Sequence, residues 1–347
     1  MPKFPLFAVG LLVLTSIVKG ADAPPPAPTP VMLYADASRL GRPFSKDPTV
    51  VRFGDRCLMY FSLPPGEGKA GAPATWGIGI AESRDLTHWN KIGELLPGAP
   101  VETKGLCAPG AIVLGGKVHL FYQTYGNGAK DAICHAWSDD GIHFQRDPAN
   151  PVFRPRGAWS AGRAIDAEAF PFNGKLYLYY ATRDPAFKIQ MLGVASADLQ
   201  SDFGPAAWTD LSPDGPMFKP ELPWEKTCIE APTVCRRDDL LYLFYAGAYN
   251  NAPQQIGCAV SSDAVHWKRL SDQPFLPNGS PGTWNTSESG HPGVFVDADR
   301  QTYLFFQGNN DGGKTWLLSK VRVGWNERGP YVIPDQDPAH DTSATPK

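Results

Sequence analysis

Five short aromatic segments recur along this chain at intervals near sixty residues, and any fold it adopts must place all five in equivalent positions. They are Met59-Tyr60-Phe61, Phe121-Tyr122, Tyr179-Tyr180, Phe244-Tyr245 and Phe305-Phe306, whose last members lie 61, 58, 65 and 61 residues apart. Each closes a strand-like run that follows another such run. Fourteen or fifteen residues before each last member stand Asp47, Ala108, Asp166, Glu230 and His291. Four of these are ionisable and three are carboxylates. A repeat that served the fold alone would have no reason to gather acids at one register.

The units share further parts. A third strand rich in small and β-branched residues follows at 77–81, 132–137, 191–195 and 256–260. Next comes a turn of pattern Ser-x-Asp-x-x-His-aromatic: Ser83, Asp85, His88, Trp89; Ser138, Asp140, His143, Phe144; Ser261, Asp263, His266, Trp267. The third unit keeps only Ser196, Asp198 and Phe203, and the fifth has residues 316–323 as its third strand and lacks the turn. With 35 glycines, 35 prolines and 12% aromatic residues, the composition suits many short strands joined by turns. No unit holds a ten-residue stretch of 3.6-residue apolar period, which excludes an αβ solenoid. The fold class expected is all-β, a five-bladed β-propeller spanning residues 31–333. Residues 31–34 or 331–333 are available to close the ring on the last blade.

That geometry restricts where chemistry lies. The first strand of each blade lines the central channel, so Asp47, Asp166, Glu230 and His291 converge although scattered in sequence. Second–third strand loops carrying Tyr125, Arg183, Asp184, Tyr249 and Asn309 rim the same opening. The Ser-x-Asp-x-x-His turns fall on the opposite face, which makes His88, His143 and His266 turn residues and not a metal triad.

Outside the ring, residues 1–23 read as an export signal: Lys3, an apolar run at 6–18 too short to span a bilayer, and Ala21-Asp22-Ala23 as cleavage site, with cleavage after Gly20 or an uncleaved anchor as alternatives. Residues 24–30 form a Pro-rich linker and 334–347 a polar tail. The expected location is secreted or periplasmic, with no stable membrane insertion after cleavage. A net charge of −3 without a basic stripe argues against a nucleic-acid partner. Of the six cysteines, Cys134 and Cys258 occupy matching strands and read as buried thiols, while Cys107 and Cys228 lie close enough to the repeat register to approach each other.

Taken alone, Asp47-Pro48 could start a turn. Glu230, between Ile229 and Ala231-Pro232, and Asp166, between Ile165 and Ala167, are harder to explain structurally, because a carboxylate in an apolar strand is costly unless paired or useful. Acids crowded round one axis cannot all ionise freely. One is held protonated while another stays ionised, as glycosidic bond cleavage requires. Trp76, Tyr125, Trp159, Tyr249 and Trp284 are candidate platforms for sugar rings, against the alternative of packing.

At these residues the chain resembles glycoside hydrolase family 43. The likeness spans about residues 40–325 and is carried by Lys46-Asp47-Pro48-Thr49-Val50-Val51, Ile165-Asp166-Ala167-Glu168-Ala169-Phe170, Glu230-Ala231-Pro232-Thr233-Val234 and Gly290-His291-Pro292. The resemblance implies an inverting hydrolase of oligo- or polysaccharides that contain arabinose or xylose, or of related ones. Asp47 would be general base, Glu230 general acid, and Asp166 the group that raises and orients Glu230. It implies no required cofactor. His291 matches an axial histidine that in many members helps hold a metal ion, often calcium, through water; a hydrogen-bonded structural histidine is the alternative. The chain departs from the family pattern at Cys107-Ala108-Pro109, where a tryptophan is common, and at Ala167-Glu168, where proline is common. Glu168 is expected either to reach the channel as a fourth carboxylate and substrate contact, or to pair with Arg163. Arg183-Asp184-Pro185 imitates a motif of the family 32 fructan hydrolases but sits off register, so Arg183 reads as a substrate clamp. A phosphorolytic enzyme using Arg163 and Arg183, and a non-catalytic sugar-binding propeller, are the rival readings.

Overall fold

The computed structural model describes residues 32–67, 71 and 73–333. The export-signal, linker and tail readings therefore lie outside the described residues. Twenty strands form five four-stranded antiparallel sheets. Blade 1 contains β1 (Lys46–Phe53), β2 (Arg56–Leu63), β3 (Gly77–Ser83) and β4 (Asn90–Leu95). Blade 2 contains β5 (Leu106–Leu114), β6 (Lys117–Thr124), β7 (Ile133–Ser138) and β8 (Gln145–Arg146). Blade 3 contains β9 (Ile165–Phe172), β10 (Lys175–Arg183), β11 (Gln190–Asp198) and β12 (Thr209–Asp210). Blade 4 contains β13 (Ile229–Arg237), β14 (Leu240–Gly247), β15 (Gln255–Ser261) and β16 (Lys268–Arg269). Blade 5 contains β17 (Glu288–Val296), β18 (Thr302–Asn309), β19 (Leu317–Asn326) and β20 (Gly329–Ile333).

The recurrent aromatics sit on the second strands and fill the spaces between blades. Tyr60 and Tyr122 share one apolar cluster, Phe121 and Tyr180 another, and Tyr179 and Tyr245 a third. Two of the tyrosines also stitch outer elements. Tyr122 donates to buried Glu102 at 2.6 Å, which accepts from Arg146; Tyr245 donates to buried Glu225 at 2.7 Å, which accepts from Arg269. Both ends of the described chain close the ring. Gly329–Ile333 supplies the outer strand of blade 5, while Tyr34 bridges to Leu318 and Ser319 Oγ donates to the Met32 carbonyl.

The Ser-x-Asp-x-x-His turns lie at the far ends of the third strands and build themselves. In each, the aspartate accepts the histidine backbone N–H through one oxygen and contacts Nδ1 through the other, at 2.7, 2.7 and 2.8 Å for His88, His143 and His266. These rings are 85–87% exposed, as side chains committed to local turns would be. All six cysteines are free and buried, so Cys107 and Cys228 are not bonded to each other.

Candidate active site

The site is made by one backbone irregularity used five times. On every inner strand two residues oppose a single residue of the second strand: Asp47-Pro48 opposes Phe61, Ala108-Pro109 opposes Tyr122, Asp166-Ala167 opposes Tyr180, Ala231-Pro232 opposes Tyr245, and His291-Pro292 opposes Phe306. Each is a β-bulge, which bends the strand and re-aims its side chains. The first residue of each is left-handed, with φ of 56°, 44°, 52°, 51° and 50° for Asp47, Ala108, Asp166, Ala231 and His291. Five non-glycine residues in that region cost roughly 1–3 kcal/mol each, strain that collects where side chains must be presented. Proline fills the second position in four bulges, where no ladder N–H is needed. Bulge N–H groups are satisfied from the preceding blade: Asp47 N–H by Gln307, Ala108 N–H by Ser62 and Asp166 N–H by Gln123.

This register corrects the expected ring. Ala231, not Glu230, is the counterpart of Asp47, Asp166 and His291. Glu230 stands one residue earlier, equivalent to Lys46, Cys107, Ile165 and Gly290. The spacing misleads because the inner hairpins differ. In blade 5 Asp297 pairs with Gln301 across a three-residue turn, so fifteen residues still reach the bulge. In blade 4 the turn is the two-residue Asp238-Asp239, so fifteen residues overshoot by one. Glu230 thus enters the axial site from a different backbone position than the two aspartates.

The three acids nevertheless meet. Asp47, Asp166 and Glu230 are 8%, 7% and 6% exposed. His291 Nε2 lies 3.4 Å from Asp47 Oδ1 and 3.6 Å from Asp166 Oδ1, bridging blades 1 and 3 from blade 5. Burial works against a charged imidazole, yet the carboxylates of Asp47, Asp166 and Glu230 outweigh it and raise His291 to about 9. Burial would likewise raise Asp47, but His291 and Lys46 hold it below the usual carboxylate range. Glu230 is pushed up, by burial first and by Asp166 second. The surroundings therefore separate two carboxyls, one ionised and one inclined to keep its proton.

Glu230 is clamped by two neutral amides that the sequence reading did not identify. Gln190 Nε2 donates to one oxygen, and Gln254 Nε2 donates to the other at 2.7 Å while also reaching the Ala248 carbonyl. Gln190 opens β11 and Gln254 immediately precedes β15, at the mouth end of each third strand. Nothing in the sequence sets them apart from glutamines that face water. Also unassigned were Lys46, whose Nζ lies 4.5 Å over the Trp316 ring, and fully buried Glu288, which accepts from Asn251 N–H and Gln307 Nε2.

The other proposed contacts divide. Tyr125 lies at the mouth, 38% exposed, with its ring 5.3 Å from Trp76. Tyr249 lies under Arg183, whose guanidinium is 5.2 Å from the ring centre. Asp184 caps its own loop through the N–H groups of Lys188 and Ile189. Trp284 uses its ring in packing, 5.6 Å from Phe306 and over Gly308, in the cluster between blades 4 and 5. Glu168 does line the channel but is not paired with Arg163. It accepts from Thr233 Oγ1 at 3.1 Å and Val234 N–H at 3.0 Å, stitching blade 3 to blade 4. Arg163 instead approaches Gln190 and Asp131.

The axial channel holds a cavity of about 30 Å³ lined by Asp47, Asp166 and His291 together with Thr49, Glu168, Thr233 and the bulge prolines. Among the described residues no three His, Cys, Asp or Glu side chains are grouped to hold a metal ion. His291 Nε2 faces the Asp47 and Asp166 carboxylates, so an ion over the axis would be held by this histidine through water, as the resemblance implies.

Fold and site together define a five-bladed propeller with separately tuned carboxylates gathered over its axis. The model of the glycosyl hydrolases family 43 matches residues 40–329, and the chain belongs to that family. Xylosidase/arabinosidase 43A of Humicola insolens is 30% identical over 150 residues, 41% of this chain and 43% of that protein. Alpha-L-arabinofuranosidase 43 of the same organism is 26% identical over 184 residues, 48% of this chain and 37% of that protein. The chain thus spans under half the length of these curated relatives. A solved thermostable family-43 glycoside hydrolase superposes with a TM-score of 0.66 at 20% identity, covering 88% of this chain and 98% of that one, a likeness of fold.

Proposed function

We propose that this chain is an exported glycoside hydrolase that cleaves arabinose- or xylose-containing oligosaccharides with inversion of configuration. The observation that carries the mechanism is the separation of Asp47 and Glu230 by their neighbours, one carboxyl lowered and the other raised. Ionised Asp47 takes a proton from water as the water oxygen bonds to the anomeric carbon. Glu230 gives its proton to the departing glycosidic oxygen, so one water is consumed and no charge accumulates. Asp166 keeps Glu230 protonated, and the His291 imidazolium holds both aspartates in place. Arabinose and xylose are favoured by the names of the matched relatives, and export by the N-terminal apolar run.

Incubation with a panel of nitrophenyl pentosides, followed by arabino- and xylo-oligosaccharides, tests the reading. Turnover of a pentoside is expected, and Glu230→Gln should lose about 10²–10⁴-fold on substrates with poor leaving groups. Full activity in that variant would remove Glu230 from the acid role. Dependence of turnover on added phosphate would instead favour a phosphorolytic enzyme using Arg163 and Arg183.

A further inference from the structure

Two guanidinium groups converge behind the general acid with most of their donors unspent. Arg183 Nε donates to Gln190 Oε1 at 3.0 Å, and Arg163 Nη1 reaches the same oxygen at 3.4 Å. Among the described residues the terminal nitrogens of Arg183 make no hydrogen bond, and its guanidinium rests over Tyr249 and Phe187 at 5.2 and 5.8 Å. Arg163 is only 14% exposed, and its buried Nε has no hydrogen-bond partner. The nearest anion to it, Asp131 Oδ2, stands 3.9 Å away. The other Asp131 oxygen is engaged by Thr124 and Asn127, and the Asp184 carboxylate accepts from its own loop. Two like charges therefore share one neutral acceptor, with only the long Arg163–Asp131 contact to offset them among the described residues, and their free donors are open to an anion from outside.

Their place says which part of a substrate would bring it. In an inverting site the base and the acid stand on opposite sides of the scissile bond, and the leaving group extends past the acid. Gln190 links these arginines to Glu230 by presenting its oxygen to them and its N–H to the carboxyl. The neutral amide keeps the cations from ionising the acid while fixing them one side chain beyond it. Given the hydrolase reading above, we infer that Arg163 and Arg183 form a leaving-group subsite for an anionic sugar. The shared chemistry is an oxyanion on that sugar, from a uronate carboxylate or a sulfate ester, gripped by the arginine forks with its ring against Tyr249.

Calorimetric titration of the full chain with methyl glucuronoside, methyl glucoside 6-sulfate and neutral methyl glucoside tests this. At least one anionic glycoside should bind about 10- to 100-fold more tightly than the neutral one. The stronger arm identifies the source of the oxyanion. The advantage should shrink with added salt and fall toward unity in Arg183→Gln and in Arg163→Gln, with unchanged circular dichroism showing that each variant folds. Equal binding of the three ligands, or an anionic preference surviving both substitutions, would overturn the subsite. The readout is binding, so the two readings fail separately. An arginine-dependent preference without turnover of any glycoside would sink the hydrolase, and turnover without the preference would sink the subsite.

Discussion

Glu230 and Asp166 share a buried site in which two negative charges are costly, and the energy falls on the group with the raised value. Removing the Asp166 charge should therefore lower Glu230. Asp166→Asn is expected to move the alkaline limb of the kcat/KM pH profile downward, with activity lost on both natural and activated substrates. On the acid side, His291→Gln removes the cation that helps hold Asp47 down. The acid limb should then move upward, and an unmoved limb would refute that coupling. At this scale the sequence revealed the acids but not their arrangement. Asp47, Asp166 and His291 were legible because a left-handed bulge residue stands fourteen or fifteen residues before each aromatic. Glu230 was found through a coincidence of fifteen residues that a longer turn elsewhere made look regular. Gln190 and Gln254 left no trace, because nothing in a linear chain distinguishes a glutamine that will clamp a carboxyl from one that will meet water.

The inner strands approach one another so closely that side chains are excluded at defined places. A Cβ on Gly110 would lie 2.0 Å from the Ala167 carbonyl oxygen, and one on Gly293 2.1 Å from that of Pro48. Gly293→Ala is expected to cost about 1–3 kcal/mol in denaturant unfolding through forced backbone movement, and to reduce activity by shifting the Asp47 bulge. Farther out, Glu225 accepts from Tyr245 and Arg269 while fully buried. Glu225→Ala should cost about 1–3 kcal/mol, because it leaves the buried Tyr245 hydroxyl and the Arg269 Nε–H without their acceptor while Arg269 keeps Glu221; a loss below 1 kcal/mol would argue against the stitch. The strand order was readable from the aromatic spacing and the turn motif, since both express the two-residue period and the hairpin connections. The stitches were not, because Glu102 and Glu225 lie in irregular segments before the inner strands and gain meaning only once Tyr122 and Tyr245 face them.

The closed ring turns five similar strands into an asymmetric site, and the same burial that tunes catalysis leaves a mark on stability. Glu168 is raised to about 7 by burial, against the hydrogen bonds from Val234 and Thr233. The folded chain thus holds this proton more tightly than the unfolded chain. That contribution is complete below the ordinary carboxyl range and is lost as pH rises through about 7. Glu168→Gln retains an acceptor for both donors and should raise Tm at alkaline pH while leaving it near wild type at acid pH; an equal shift at both would contradict the assignment. For the molecule as a whole, the central claim is that Asp47 and Glu230 act on opposite sides of one bond with water between base and sugar. Proton NMR of the first sugar released from a nitrophenyl pentoside tests it most directly. The account requires the anomer opposite to that of the substrate to form first, and initial release of the same anomer would contradict it.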